Sequence, residues 1–521
     1  MPPLRPTTGS ATGSRRSRVA GRAAVLASLA AAAVSGASLH AQTLPPQISL
    51  EGGLTATDNG GLAPPGQERA DLITTVRPRF TFWRRGPRLE LDLAASASLV
   101  AYANGTQSTA VLPELRGLVR SELVERLLYV DGAADVGQVE VSSFGARVDE
   151  LTGANRQTAS SFRVSPYLLR DLSATSFVLA RHDLATTHNG SDTGARLLSN
   201  RTVLRYEAKP VPVGTAFELS RLDNDTSGSD DGRLTLDAAR ASVSVALRNQ
   251  MILGAVAGAD RSDFADRRHT DPVYGLTLLW NPGPRTSLEA ALEHRFFGAG
   301  GSFVFRHRMP FMSFVVSMRR GPATVSSTLG QIDAGSDLRP FLDAILTTRY
   351  PDAAVRRGLV QSIVGTRGLD IRLPNPTDIV AAYPQLQTRA NATWAFLGTR
   401  NTASVTVYTQ TLRELRHDGD PPPGTLAQED NRQWGASLQA GRRLTPQLSV
   451  QAVLRWSRIE GLAARAGETS EEWVQRLVIS RAVSARTGIS AGLQHNRFAS
   501  TARDQNDYRA TLAFVGLRHT F

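Results

Sequence analysis

Residues 89–100 read LELDLAASASLV. Leu89, Leu91, Leu93, Ala95, Ala97 and Leu99 are apolar, while Glu90, Asp92, Ser96 and Ser98 between them are polar. Successive side chains of a strand point to opposite faces, so a period of two writes one apolar face and one polar face. The same pattern recurs toward the C-terminus. Leu448, Val450, Ala452, Leu454 and Trp456 alternate with Ser449, Gln451, Arg455 and Ser457. Trp434, Ala436, Leu438 and Ala440 alternate with Gln433, Ser437 and Gln439. A soluble β-sandwich would alternate as well, so this pattern by itself leaves two architectures open.

Three further features favour an all-β, transmembrane, antiparallel barrel of outer-membrane type. The alternating segments are about 9–14 residues long, enough to cross a bilayer at a tilt. Short turns such as RRGP (84–87), NPGPR (281–285), GTRN (398–401) and RLTP (443–446) alternate with longer polar stretches at 58–68, 417–431 and 500–507. Barrels of this class carry short periplasmic turns and long extracellular loops. The last segment, 508–521, ends on Phe521, with His519, Leu517, Val515 and Ala513 on the same face. Phe521 is therefore expected to be the assembly signal read by the outer-membrane barrel assembly machinery. Counting segments back from Phe521 predicts about 22 strands, within a range of 18–22, among them 172–184, 250–261, 272–281 and 303–309. Both chain termini then lie in the periplasm. Closure is required physically, because an open sheet in lipid would leave a row of unpaired N–H and C=O groups.

Composition narrows the chemistry. The chain has 521 residues, no cysteine, and 59 Lys plus Arg against 47 Asp plus Glu; Lys209 is its single lysine. Disulfide frameworks, thiolate nucleophiles and Cys-ligated metals are excluded, as are lysine-dependent motifs away from Lys209. Arg5, Arg15, Arg16, Arg18 and Arg22 precede an apolar run from Ala23 to Ala37. That order predicts a signal peptide over 1–41, followed by a barrel over 42–521. Its removal takes away five of the +12 net charges. The remaining charge is dispersed, with no basic patch interleaved with aromatics, so no nucleic-acid partner is expected. The expected partners are outer-membrane lipid and lipopolysaccharide.

One stretch, 329–385, breaks the alternation. Phe341, Ile345 and Leu346, then Val355, Leu359 and Ile363, follow helical spacing, with Gly365 and Gly368 as stops. The spacing predicts two short amphipathic helices in an insertion on the outer side, folding over or into the mouth.

Several phrases carry a family resemblance. Thr57-Asp58-Asn59 and Asp71-Leu72-Ile73-Thr74-Thr75-Val76-Arg77-Pro78 are followed by Leu279-Trp280-Asn281-Pro282, Arg295-Phe296-Phe297-Gly298 and Arg306-His307-Arg308. Tyr350-Pro351-Asp352-Ala353-Ala354-Val355-Arg356 and Leu397-Gly398-Thr399-Arg400-Asn401-Thr402 come later, in order. Together they resemble outer-membrane proteins associated with the PEP-CTERM/exosortase system. The resemblance implies a β-barrel from bacteria with exopolysaccharide and protein-sorting loci. Polysaccharide and periplasmic export components would be its partners. It implies no catalytic mechanism and no residue set with a known role. Arg319-Arg320-Gly321 stands where a more acidic stretch is expected, so local lumen chemistry should differ.

Neither an enzyme nor a cofactor is expected. His182, His188 and Ser191 could be assembled into a Ser–His hydrolase. His188 and Ser191, however, fall in a predicted outer loop, and no third orienting group is spaced for them. No HExxH motif or EF-hand loop occurs. Asp223, Asp225, Asp230 and Asp231 in 222–231 read either as a loose Ca²⁺ loop or as a solvated one. Arg455, Arg476 and Arg518 are predicted to face the lumen, together with Glu90 and Asp92. They would form either an anion-concentrating wall or paired charges that brace the barrel. The expected function is a pore or channel involved in export of exopolysaccharide or related surface material. A general diffusion porin and a structural, anchoring barrel without flux are the alternatives. Energy-coupled transporters of this strand number carry a plug ahead of the first strand. Here strand one is expected directly after the signal peptide, which sets that reading aside.

Overall fold

The computed structural model describes residues 42–146, 155–189, 196–226, 233–247, 250–264, 267–323, 337–367, 373, 376, 384–415, 430–503 and 505–521. The expected signal peptide, Ser191, Asp230, Asp231, Gly368 and the first residues of the predicted insertion lie outside them.

The first eleven strands are β1 (Gln42–Thr57), β2 (Asp71–Arg85), β3 (Leu89–Tyr102), β4 (Ala110–Val124), β5 (Leu128–Glu140), β6 (Arg156–Asp171), β7 (Ser176–Asn189), β8 (Arg196–Ala208), β9 (Val213–Thr226), β10 (Leu234–Leu247) and β11 (Met251–Phe264). The remainder are β12 (Arg267–Gly283), β13 (Thr286–Arg295), β14 (Gly298–Arg308), β15 (Met312–Ala323), β16 (Gln385–Leu397), β17 (Asn401–Glu414), β18 (Asn431–Arg443), β19 (Leu448–Gly461), β20 (Thr469–Ala482), β21 (Thr487–Ser500) and β22 (Tyr508–Thr520). Helices α1 (Arg339–Leu346) and α2 (Ala353–Arg367) stand between β15 and β16.

Each strand pairs antiparallel with its neighbours in sequence, and β1 closes onto β22 from Ser49 opposite Thr520 to Thr57 opposite Leu512. The 22-stranded sheet is therefore a closed barrel without an edge. At one end every connection is two to four residues long; the other end carries the longer ones, including the insert.

Alternation places apolar side chains outward around the wall. Val111, Phe217, Leu276, Leu292, Leu493, Val515 and Leu517 are all more than half exposed to the outside. Apolar exposure on this scale would drive a soluble protein to aggregate, whereas lipid is its natural solvent. Trp434, Trp456 and Trp473 point outward toward the long-loop rim, with both Trp456 and Trp473 donating to Glu471 at 3.1 and 2.8 Å. Trp394 and Phe396 stack at 6.2 Å near the short-turn rim. These are the two aromatic girdles of an outer-membrane-type barrel.

The first resemblance motif holds the closing seam. Asp58 accepts the Thr511 N–H at 2.7 Å, and Asn59 donates to the carbonyls of Ala63 and Arg509 at 2.8 and 3.0 Å. Asp71 accepts the N–H groups of Leu72, Asn104 and Thr106 and the Thr106 hydroxyl. Together they pin the β1–β2 loop where the first strand meets the last.

Four local expectations are corrected. A loop expected over 262–271 is largely strand. Beyond the apolar belt a ladder needs no apolar residue, and there Arg268 pairs with Asp263 at 2.6 Å. Strand β14 starts at Gly298 rather than 303, because Gly301 adopts a φ of 153° where a Cβ would lie 2.1 Å from the Ala291 carbonyl. Strand β7 starts at Ser176 rather than 172, since the Ser173 hydroxyl caps the preceding turn by accepting the Thr175 and Ser176 N–H groups. Gly365 does not stop α2, which continues to Arg367.

Candidate functional site

The candidate site is the lumen, and its central feature is the insert. Helix α1 places Phe341, Leu342, Ile345 and Leu346 on one stripe, and all four are buried. They pack on Val315, Ala395 and Leu397, inward-facing residues of β15 and β16. After α1 the chain reaches the short-turn end of the barrel. There Arg308 donates to the Thr348 hydroxyl at 2.9 Å, and the Arg349 guanidinium lies 4.6 Å over the Phe311 ring. Helix α2 then crosses the lumen. Asp352 accepts the Val355 N–H at its start, as an N-terminal cap does. Arg356 ties it back to Asp343 at 2.9 Å, and Arg357 stacks 4.4 Å over Trp83 on the opposite wall. Helices α1 and α2 thus lie inside the barrel, with Thr348 and Arg349 at the mouth opposite the long loops. Of the two expected positions, over the mouth or into it, the second is observed.

Several cavities remain around the insert. A space of about 1180 Å³ lies between α2 and the walls of β2–β5 and β19–β20, and includes Asp92, Arg455 and Arg476 in its lining. A second of about 560 Å³ lies in the long-loop half, between β8–β10 and β13–β16.

The sequence-derived lumen residues all lie on the inward face, but they do not converge. Arg518 pairs with Glu51 at 3.6 Å, and Glu90 pairs with Arg85 at 2.8 Å, both near the short-turn end. Arg476 lies over Phe514 at 4.7 Å and donates to Gln494 at 3.3 Å. Ion pairs recur along the charged wall: Arg181 to Asp131 and Asp183 at 3.0 and 2.8 Å, Arg205 to Glu207 at 2.6 Å, and Arg306 to Glu289 at 2.7 Å. Arg306–Glu289 joins neighbouring strands and Arg181–Asp131 spans from β7 to β5, while Arg181–Asp183 and Arg205–Glu207 lie within one strand; each partly exposed pair contributes roughly 0–1 kcal/mol. Strands β16–β21 differ, presenting buried uncharged groups that include Thr393, Gln410, Gln433 and Asn496.

The long-loop mouth is narrowed by an aromatic residue the sequence did not single out. Phe144, after β5, is fully buried beside Ile459 and Ala502. Arg465 lies 4.1 Å over its ring, and the Ser470 hydroxyl donates to its carbonyl at 2.8 Å. The loop therefore reaches across the mouth to β18–β20. A lone aromatic in a polar loop has no period to betray it. Phe296 and Phe297, edge to face at 5.0 Å, pack with Leu234 and Leu415 elsewhere on the rim. Phe144→Ala is expected to remove about 3–5 kcal/mol of loop docking. Amide exchange over 141–146 should accelerate while strand amides stay protected; unchanged exchange would contradict the docking.

No protein-family model and no curated protein matches the chain. Solved structures do. The chain is similar to the siderophore receptor PirA from Pseudomonas aeruginosa at 10% identity, with 91% of this chain and 80% of that chain covered and a TM-score of 0.41. The FrpB iron transporter from Neisseria meningitidis gives 8%, 92%, 82% and 0.48 in the same order. OccK2 from Pseudomonas aeruginosa, solved in complex with glucuronate, gives 8%, 92%, 98% and 0.34. Likeness at this level bears on neither solute nor mechanism.

Of the hydrolase candidates, Ser191 lies outside the described residues. His188 belongs to β7, not to a loop, and with His182 it points outward, where His182 meets the Thr202 hydroxyl at 2.9 Å. Asp223 and Asp225 likewise belong to β9, with Asp223 paired to Arg233 at 3.6 Å. Among the described residues no group of three or more His, Asp or Glu is placed to hold a metal ion.

Proposed function

We propose that this protein is an integral outer-membrane channel, held closed at rest by its own insert, that takes part in exporting exopolysaccharide or related surface material. The observation that carries the gated reading is the path of α1 and α2. They cross the lumen, and they are fastened at the far mouth by Thr348, Arg349 and Arg357 rather than lying loosely over the opening. The polar lining suits a hydrated, hydroxyl-rich solute, and the family resemblance supports a polysaccharide. A general diffusion porin would leave its lumen open. The barrel without flux is the second reading, favoured by the buried docking of Phe341 and its neighbours. Phe521, 66% exposed on the outward face, supports recognition of β22 by the assembly machinery.

Deleting the gene and quantifying extracellular polysaccharide tests the export assignment. Loss or marked shortening of the polymer is expected. Unchanged amount and composition would refute it, whatever the barrel conducts.

A further inference from the structure

We propose that the outer wall over β8–β12 binds a phosphate-bearing, acylated glycolipid of the outer leaflet, its phosphate on Arg261 and its chains in the trough below. This site lies outside the lumen, goes beyond the channel reading, and does not rest on what is exported.

Register places Thr202, Arg221, Asp237, Arg261 and Thr270 in one row across β8–β12, all on the outward face. The row borders two kinds of wall. Toward the long loops the next outward row is polar, with Asn200, Asp223, Thr235, Asp263 and Arg268. On the other side it is apolar, with Leu204, Leu219, Ala239, Ala259 and Pro272. The row therefore lies where headgroups meet acyl chains, and the long loops put it in the outer leaflet. Around the polar row each arginine has its own acid: Arg233 meets Asp223 at 3.6 Å and Arg268 meets Asp263 at 2.6 Å. The border row has two arginines for one acid. Asp237 pairs with Arg221 at 3.5 Å, and Arg261 is exposed with no ion pair among the described residues. A cation at the edge of hydrocarbon calls for a counter-charge from the membrane, and a phosphate offers two oxygens to its fork.

A recess of about 410 Å³ lies against this row, with Arg261 and Thr270 at its edge. Its floor is Ala239 of β10 opposite Ala259 of β11, and Ala241 opposite Ala257 continues it down the wall. Leu219 and Phe217 of β9 rise on one side, and Tyr274 of β12 on the other. Phe217 stacks on Tyr206 at 6.4 Å and Tyr274 on His294 at 5.0 Å, so a second ring backs each bank. Two alanine-bearing strands side by side make the trough about 10 Å wide, room for more than one acyl chain. A free cation at the head of an apolar trough that opens into the membrane has the form of a lipid's complement. The hydroxyls of Thr202 and Thr270 at the ends of the row suit the sugar hydroxyls of a glycolipid headgroup.

Native mass spectrometry of the delipidated full barrel in detergent tests the site, with diphosphorylated lipid A, its dephosphorylated form, phosphatidylglycerol and inorganic phosphate as probes. Lipid A is expected to bind roughly tenfold or more tightly than its dephosphorylated form. Arg261→Gln should remove most of that preference and leave the melting temperature unchanged. Ala257→Phe, which fills the trough, should weaken lipid A with Arg261 intact. If either variant fails to fold, the two lipid A forms compared on the native barrel still decide the phosphate contact. Equal affinity for the two forms, or unchanged lipid A binding by both variants, would overturn the site. Inorganic phosphate binding as tightly as lipid A would overturn the role of the trough. Tighter binding of phosphatidylglycerol would overturn the choice of an outer-leaflet glycolipid. A dimer broken by Ala257→Phe would overturn it too, giving the face to a second copy of the chain. None of these readings uses conductance or secretion, so failure of the export assignment leaves the site standing.

Discussion

Replacing Phe341 with alanine is expected to release the insert from the lumen wall while the barrel stays intact. Phe341 is 1% exposed and packs in one cluster with Leu342, Ala395 and Leu397. Removing a buried phenyl ring costs about 3–5 kcal/mol. The strand ladders do not depend on that ring, so the loss falls on helix docking, a shift of roughly 10²–10⁴-fold in its equilibrium. Helix α2 should follow α1, because Arg356 links it to Asp343. Trypsin should then cut at Arg349, Arg356 or Arg357 far faster than in the native protein. Val355→Ala is the control, since Val355 is 51% exposed. Equal cutting rates for native and Phe341→Ala protein would show that α1 is not held by this cluster.

The largest effect on the barrel itself is expected at Asp260. Its carboxylate is 2% exposed and joins Arg240 of β10 to Arg295 of β13, two guanidiniums that are each 19% exposed. Asp260→Ala leaves both buried cations without their shared partner, which costs about 3–5 kcal/mol. Asp237→Ala should cost under about 1 kcal/mol, because its pair with Arg221 faces outward and is well exposed. Thermal unfolding in detergent micelles would separate the two variants clearly. Similar melting temperatures would mean that Asp260 is not a structural tie.

The barrel was legible because its physics repeats. LELDLAASASLV states the period of two, and the lipid belt forces that period on strand after strand, so the strand number could be counted. Errors clustered where lipid no longer constrains the residues, as at Asp263, Arg267 and Arg268, where polar strands continue past the belt. Glycines misled at Gly298 and Gly301, where flexibility in the sequence is close backbone approach in the fold. Helical spacing in the insert revealed that Phe341 and Ile345 bury one face, but an amphipathic stripe does not name what it is buried against. Val315, Ala395 and Leu397 meet that stripe only through the closed register of β15 and β16. The lumen arginines were legible as a face, since Arg455, Arg476 and Arg518 follow from parity. Their partners were not, because opposition across strands depends on turn lengths.

The central claim is that the insert closes the channel. Ala323 and Gln385 are register partners at the tops of β15 and β16, so 324–384 can be replaced by a short hairpin turn without moving either strand. Planar-bilayer conductance of the native and the excised barrel is the most direct measurement. A closed native protein and a steadily open excised one are predicted; two barrels that are equally open, or equally closed, would contradict the account.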